Sequence, residues 1–578
     1  MLDHLPAATP FELAAHAIQQ WLDGPGACFA SRSRRSHNRG KMDVWELELP
    51  HPIEGPQRVE ICIPQEFPAV APIIYLDKRL CLTWPHVEET GNFCHGVQPS
   101  PDDYDNPIGA LQSVLARLEA FWQNTQDAAW LKKEFQSERL SYWLRFCMRQ
   151  RAAFGGISPA CSRIELTQID ESTEGRIAAY FSGGDKVSCA LLLTTLSETD
   201  PHSLATRHNW SFGSLRRGHS LFVPMPAGID WTPDEWPTTI GELDALVGSL
   251  AGDPEKLATW FMSKSPDTKQ MMMVVLVQSN VCYGYLLAAP TVPRMSEVRI
   301  IPLFLDRVDT DWALARDQQL PVLHRRRQLR ALVLGCGSLG AMAIEQFARA
   351  GVGDIDIVDK EGFDAENCAR HILGADSIDL GKAHQLASHL QRLVPGIKVN
   401  PHRVRAERWV PTQCRPGQYD IIIDLTGETS IRSMLARYRT LCFANTPILH
   451  GWMEPFCAAT HLVHLAASEE YPVDEPAQGV NVAQWPNQTA IQLPACGFGF
   501  HPYGSADVAQ AAGFVAERAL AVLDAEESNS MVWSWVRSEG FFARLGVGAV
   551  CGPLVPKLQS PFDSVHITRS FDDIYGEK

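Results

Sequence analysis

The run Gly335-Cys336-Gly337-Ser338-Leu339-Gly340 constrains this chain more than any other feature. It follows the apolar segment 329–334 and opens a stretch, 340–350, with apolar residues at helical spacing. Glycines at Gly335, Gly337 and Gly340 let the backbone leave a strand, turn sharply and approach a phosphate before entering a helix. A helix N-terminus placed there offers free N–H groups and partial positive charge to an anion. Asp359 ends the next strand-like segment, 354–358, and stands 19 residues after Gly340. A carboxylate at that place accepts hydrogen bonds from ribose hydroxyls. A further apolar segment, 421–424, ends in Asp424.

Strand–helix alternation across 306–578 predicts an α/β domain with a doubly wound, Rossmann-like parallel sheet. Two other regions differ in pattern. Residues 1–150 open with a helical stretch, 10–22, and continue with strand-like runs 44–49, 59–63 and 73–76. A loop around Cys94 and helical stretches 108–122 and 128–146 close an α+β domain. Residues 151–305 read as a mixed α/β domain with strands at 187–194, 272–277 and 281–288, and carry no chemistry-bearing motif. A structural or positioning role is the expectation for them.

A length of 578 residues allows several cores. The formal net charge of −16 argues against a general nucleic-acid coat or a binder of anionic membranes. The opening Met1-Leu2-Asp3-His4 lacks a charged-then-apolar signal pattern, and no apolar run reaches membrane-spanning length, so a cytoplasmic location is expected. The fifteen cysteines are scattered, with none at C-x-x-C spacing, which suits reduced thiols better than a disulfide framework or a zinc site.

The glycine run alone also suits a dinucleotide such as NAD. The residues after Asp359 favour a triphosphate. Asn367 and Arg370 follow by eight and eleven residues, and Lys382 comes next in Gly381-Lys382-Ala383. Arg binds phosphate through a planar fork and Lys as a point charge. Asp424 at a strand end suits Mg2+, which prefers carboxylate and phosphate oxygens.

The stretch Asp359-Lys360-Glu361-Gly362-Phe363-Asp364-Ala365-Glu366-Asn367-Cys368-Ala369-Arg370-His371 resembles the signature of the ThiF/MoeB/ubiquitin-activating family, over roughly residues 325–525. The resemblance implies binding of ATP and Mg2+ and formation of an acyl-adenylate at a protein's C-terminal glycine. It assigns Asp359 to the ribose, Asn367, Arg370 and Lys382 to phosphates, with Arg370 catalytic, and Asp424 to magnesium. It also implies a homodimer, in which an upstream arginine, Arg307 or Arg316, completes the site. One departure is Asp424-Leu425-Thr426-Gly427, where relatives often carry a second aspartate after the threonine.

Two thiols are candidates for carrying an acyl group. Cys496 precedes a helical stretch, 505–523, and its place resembles that of the catalytic cysteine in activating enzymes. A thiolate near a helix start is favoured by the dipole. Cys442 and Cys457 are its rivals. Cys94 lies in Gly91-Asn92-Phe93-Cys94-His95-Gly96, and the order helix, meander, cysteine loop, helices resembles the ubiquitin-conjugating fold over about residues 8–148. The usual His-Pro-Asn triplet is missing, and Pro85-His86 inverts part of it. Asn92 is the candidate for steadying an oxyanion, and His86 or His95 for tuning the thiol or an incoming amine.

A chain with both domains resembles the fused ligases of CBASS antiphage systems. That resemblance implies transfer of the C-terminal tail of a cGAS-like nucleotidyltransferase, or of a ubiquitin-like protein, through Cys496 and Cys94 to a target amine. Three other readings predict different behaviour: a sulfur-carrier adenylyltransferase without conjugation, a scaffold with a degenerate nucleotide fold, and an NAD-linked oxidoreductase.

Overall fold

In the computed structural model the described residues are 9–33, 43–52, 55–151, 158–182, 188–264, 270–279, 281–288, 295–314, 320–467, 469–472, 474–484, 502–546, 548–558 and 560–576. The chain divides into two compact units, Met1–Arg307 and Val308–Lys578. Among the described residues no helix is long and apolar enough to cross a membrane.

The first unit opens with the helix Pro10–Asp23, started by a Thr9/Glu12 capping box. A five-stranded antiparallel meander follows, in sequence order: Ala30–Arg32, Asp43–Leu49, Gln57–Ile63, Ile73–Tyr75 and Asn92–Phe93. Alternate residues Trp45, Leu47, Val59 and Ile61 face inward and meet Ala14, Ile18 and Leu22 of the first helix. Leu111, Val114 and Leu118 of the helix Pro107–Asn124 close the same core.

The predicted stretch 128–146 is broken. Glu138, at φ −115° and ψ 24°, separates the helices Ala128–Ser137 and Arg139–Arg151. The break lets the second helix carry Tyr142, Trp143 and Phe146 onto a second sheet, where they pack with Trp236, Tyr283 and Tyr285. Trp143 also donates its indole N–H to the carbonyl of Leu303 at 3.1 Å. That sheet has eight strands in the order Arg299–Phe304, Val281–Ala288, Met271–Gln278, Ser214–Met225, Thr173–Ser182, Ser188–Leu196, Cys161–Glu165, Asp306–Arg307. Arg307, a predicted contributor to the nucleotide site, pairs with Ile164 at its edge in this first unit. Arg316 lies outside the described residues.

The second unit is built on another eight-stranded sheet. Five strands are parallel, in the order Lys398–His402, Asp354–Val358, Arg330–Leu334, Ile421–Asp424, Ile448–Met453. Ala331 and Val333 point to one face, against the helices Ser338–Arg349, Lys382–Leu393 and Ser505–Leu523. Leu332 and Leu334 point to the other, against Trp409 and Leu435 of the helices Ala406–Gln413 and Thr429–Tyr438. Three antiparallel strands, Ala459–Leu465, Met531–Arg537 and Ser564–Ser570, extend the sheet beyond the predicted parallel pattern. A short connection joins Met453 to Ala459, and a link that short returns a strand only antiparallel. Strand order reverses between Arg330–Leu334 and Ile421–Asp424, so the carboxyl ends of these two strands flank the crevice where such sheets bind ligands.

Candidate functional site

The glycine run sits at that crevice. Gly335 has φ +94°, the left-handed region, and a Cβ there would meet the Leu425–Thr426 backbone at 3.0 Å. A Cβ on Gly340 would come within 2.1 Å of the Gly335 carbonyl oxygen, so close helix–strand packing requires glycine. Gly337 starts the helix Ser338–Arg349 with no side-chain cap, and its missing Cβ leaves open space. The free N–H groups of that helix start therefore face a cavity of about 500 Å3.

The same cavity is lined by Asn367, Arg370 and Lys382, together with Thr426, Gly427 and Trp452. Three predicted phosphate ligands thus share one space with Gly337. Lys382 is buried, and its Nζ lies 2.7 Å from Glu361 Oε2. Arg370 donates to the Glu366 carbonyl at 3.0 Å, and its guanidinium carbon lies 5.5 Å from the Tyr503 ring centroid. Asn367 accepts the Asp364 N–H at 3.2 Å through its Oδ1.

Asp359 lines an adjoining space of about 120 Å3 with Gly335, Gly337, Val358, Val404 and Ile431. Its two oxygens accept the Cys336 N–H at 2.6 Å and the Glu361 N–H at 2.7 Å. The carboxylate therefore braces the glycine turn as well as facing the cavity.

Asp424 has a different setting from the one expected. It is 2% exposed and lines neither space. One oxygen accepts both the N–H and the O–H of Thr426, at 3.1 and 2.6 Å. The other lies 3.0 Å from His450 Nδ1. Among the described residues no group of three or more His, Cys, Asp or Glu side chains converges as a metal site. Both carboxylate oxygens of Asp424 thus hold the Thr426 turn and the buried His450.

Sequence reasoning gave no role to two residues at this site. His371 Nδ1 accepts the Leu373 N–H at 3.1 Å, so its Nε2 carries the proton donated to the Cys336 carbonyl at 2.8 Å. Burial lowers its pKa to about 4, so the ring stays neutral and fastens the glycine turn to the signature segment. Tyr503 meets Ser338 Oγ through its hydroxyl at 2.7 Å. His371 directly follows Arg370 in the quoted signature, a position that signals proximity to the site. Nothing in the pattern near Tyr503 signals its contact.

Of the rival thiols, Cys457 is fully buried beside the Asp507 carbonyl, and burial pushes its pKa up to about 12. Cys442 is also buried, and its pKa is raised by the same cause. Burial shields both thiols and disfavours their thiolate forms. Cys496 lies outside the described residues.

In the first unit Cys94 is exposed, just after the strand Asn92–Phe93. Its N–H donates to the carbonyl of His86, which has φ 59°. The predicted helpers are differently engaged. Asn92 Nδ2 donates to Glu88 Oε2 at 3.2 Å. His95 accepts the Val97 N–H at Nδ1 and donates from Nε2 to the Pro72 carbonyl at 3.0 Å, while burial lowers its pKa. His86 Nε2 lies 3.1 Å from Glu134 Oε2.

Two family models match the two ends of this architecture. Residues 312–530 match the ThiF family, and residues 26–149 match prokaryotic E2 family B. The chain is thus a fusion of an E1-like, ThiF-type domain with an E2-like domain. It is similar to the ATP-dependent ubiquitin transferase-like protein Cap2 of Pseudomonas aeruginosa, 24% identical over 269 residues, 43% of this chain and 46% of the relative. The protein of that name from Vibrio cholerae is 31% identical over 159 residues, 25% and 26% of the two chains. The SAMP-activating enzyme E1 of Haloferax volcanii is 30% identical over 130 residues, 22% of this chain and 46% of the relative. In each case less than half of the relative's length is spanned.

Proposed function

We propose that the chain activates a protein's C-terminal carboxylate with ATP and passes it through cysteine thioesters to an amine. The observation that carries this reading is the meeting of Asn367, Arg370 and Lys382 with the uncapped helix start at Gly337 in one cavity. Two cations, an amide and free N–H groups complement a polyphosphate. The adjoining space beside Asp359 suits the nucleoside.

In the first step a carboxylate oxygen attacks the α-phosphorus. The bond from that phosphorus to the bridging oxygen of the β-phosphate breaks, and pyrophosphate leaves with the electron pair. Arg370 and Lys382 oppose the negative charge that builds on the phosphoryl oxygens. No general base is needed, because the carboxylate is already ionised near neutral pH. Magnesium would travel with the phosphates and screen their charge, and no residue is assigned to it. A Cys496 thiolate then attacks the acyl carbon and displaces AMP. The Cys94 thiolate displaces Cys496 in turn. A target amine attacks the thioester, loses a proton and releases the Cys94 thiol.

The E2-like domain supports transfer over a sulfur-carrier adenylyltransferase that stops at activation. A homodimer acting in the cytoplasm on the tail of a cGAS-like nucleotidyltransferase belongs to this reading.

The test is incubation with ATP and candidate carriers, resolved on nonreducing gels. A thiol-sensitive adduct that disappears in Cys94→Ala or Cys496→Ala supports the reading. An adduct unchanged in both variants, or activation with no adduct, favours the sulfur-carrier alternative.

A further inference from the structure

One buried polar chain ends in the cavity wall. Ser534 Oγ lies 2.8 Å from His461 Nδ1, and His461 Nε2 lies 2.7 Å from Glu454 Oε1. Ser534 and His461 face each other across neighbouring antiparallel strands and are fully buried. Placing three polar groups in a row inside a sheet is costly unless each is satisfied, and a satisfied network fixes its members rigidly. The chain has one outlet, Glu454, which lines the cavity. Its second oxygen, Oε2, accepts the Val482 N–H at 2.9 Å.

Glu454 also anchors an unusual piece of backbone. Its carbonyl accepts the Cys457 N–H, and its N–H donates to the Ala459 carbonyl. Between them Phe456 and Cys457 adopt φ of 60° and 53°, left-handed values that non-glycine residues rarely take. Trp452, Met453, Pro455 and Phe456 of this same segment line the cavity. Strain of this kind persists only where the surroundings hold it in place.

A carboxylate in the wall of a cavity built for polyphosphate repels that anion. It suits a partner that presents N–H groups. A peptide C-terminus has both characters: its carboxylate is drawn to Arg370 and Lys382, and its preceding backbone N–H groups seek acceptors. We propose that Glu454 is the residue that binds the backbone amides of the incoming C-terminal tail, and that His461 and Ser534 are positioning residues acting through it. This rests on the adenylation reading and adds the side of the cavity that receives the second substrate.

The experiment is calorimetric titration of the full chain, first with α,β-methylene-ATP and then with triglycine on the analogue-saturated protein. Glu454→Gln is expected to weaken triglycine at least tenfold and to change the analogue's affinity less than twofold. His461→Asn and Ser534→Ala are expected to weaken triglycine by a smaller factor, several-fold, with the analogue again unmoved. Triglycine bound equally by Glu454→Gln and the unaltered chain overturns the proposal, as does parallel loss of both ligands. Analogue binding without triglycine binding in the unaltered chain overturns it alone. Absence of analogue binding overturns the proposed function, and this inference with it.

Discussion

At the scale of single residues, the site is held by groups whose protonation and shape are set by burial. His371 is the clearest case. Its pKa of about 4 lies below the ordinary value of 6.5, so the unfolded chain binds a proton more readily than the folded one. The stabilisation is complete above about pH 6.5 and is lost as pH falls toward 4. Over that window His371 is expected to contribute up to about 3 kcal/mol. Thermal unfolding of the unaltered chain and of His371→Gln should show a stability gap that is widest near neutral pH and closes near pH 4. A gap independent of pH would contradict the neutral, hydrogen-bonded ring. Thiol reactivity is a second consequence. Brief alkylation of the folded chain should modify exposed Cys28 and Cys94 and spare Cys442 and Cys457, read by peptide mass spectrometry. The spacing of Gly337, Asn367, Arg370 and Lys382 made their place around one cavity legible, because strand, turn and helix fix those distances locally. Tyr503 was not legible, since its contact with Ser338 spans 165 residues. The setting of Asp424 was not legible either. A carboxylate at a strand end has the same spacing whether it faces a cavity or is taken up by Thr426 and His450.

At the scale of elements, alternation and helical spacing located most segments, and tertiary packing decided their ends. The strand 281–288 was expected and is found as Val281–Ala288. The interruption at Glu138 was not visible in apolar periodicity, because both halves keep a helical pattern and Phe135 of the first joins Tyr142 and Trp143 of the second in one core. Their partners are far away in sequence: Trp143 bonds the carbonyl of Leu303, 160 residues on. Trp143→Ala should therefore destabilise the first unit by about 3–5 kcal/mol. Chemical denaturation followed by tryptophan fluorescence and circular dichroism checks this, and a loss below 1 kcal/mol would contradict the packing role. In the second unit the helix Ser338–Arg349 depends on Gly340, whose added Cβ would sit 2.1 Å from a carbonyl oxygen. Gly340→Ala should lower the melting temperature and weaken nucleotide binding together, because the strand-to-helix turn would have to open.

At the scale of the whole molecule, the chain joins an E2-like domain and a ThiF-type domain through a middle sheet of its own. Sequence pattern divides the chain into 1–150, 151–305 and 306–578, and contacts gather it into two compact units, Met1–Arg307 and Val308–Lys578. The pattern could not foresee the antiparallel extension of the second unit's sheet, whose strands Ala459–Leu465 and Met531–Arg537 supply His461 and Ser534, with Glu454 in the connection that leads into them. The account depends on the crevice at Gly335–Gly340 receiving a nucleoside triphosphate from cations on the signature segment. Calorimetric titration of ATP and, separately, of NAD into the full chain and into Arg370→Ala tests this without any carrier protein. The expected result is binding of ATP in preference to NAD, weakened at least tenfold in Arg370→Ala, the loss of one charge-assisted pair. Equal ATP affinity in the two proteins, or a preference for NAD, would contradict it.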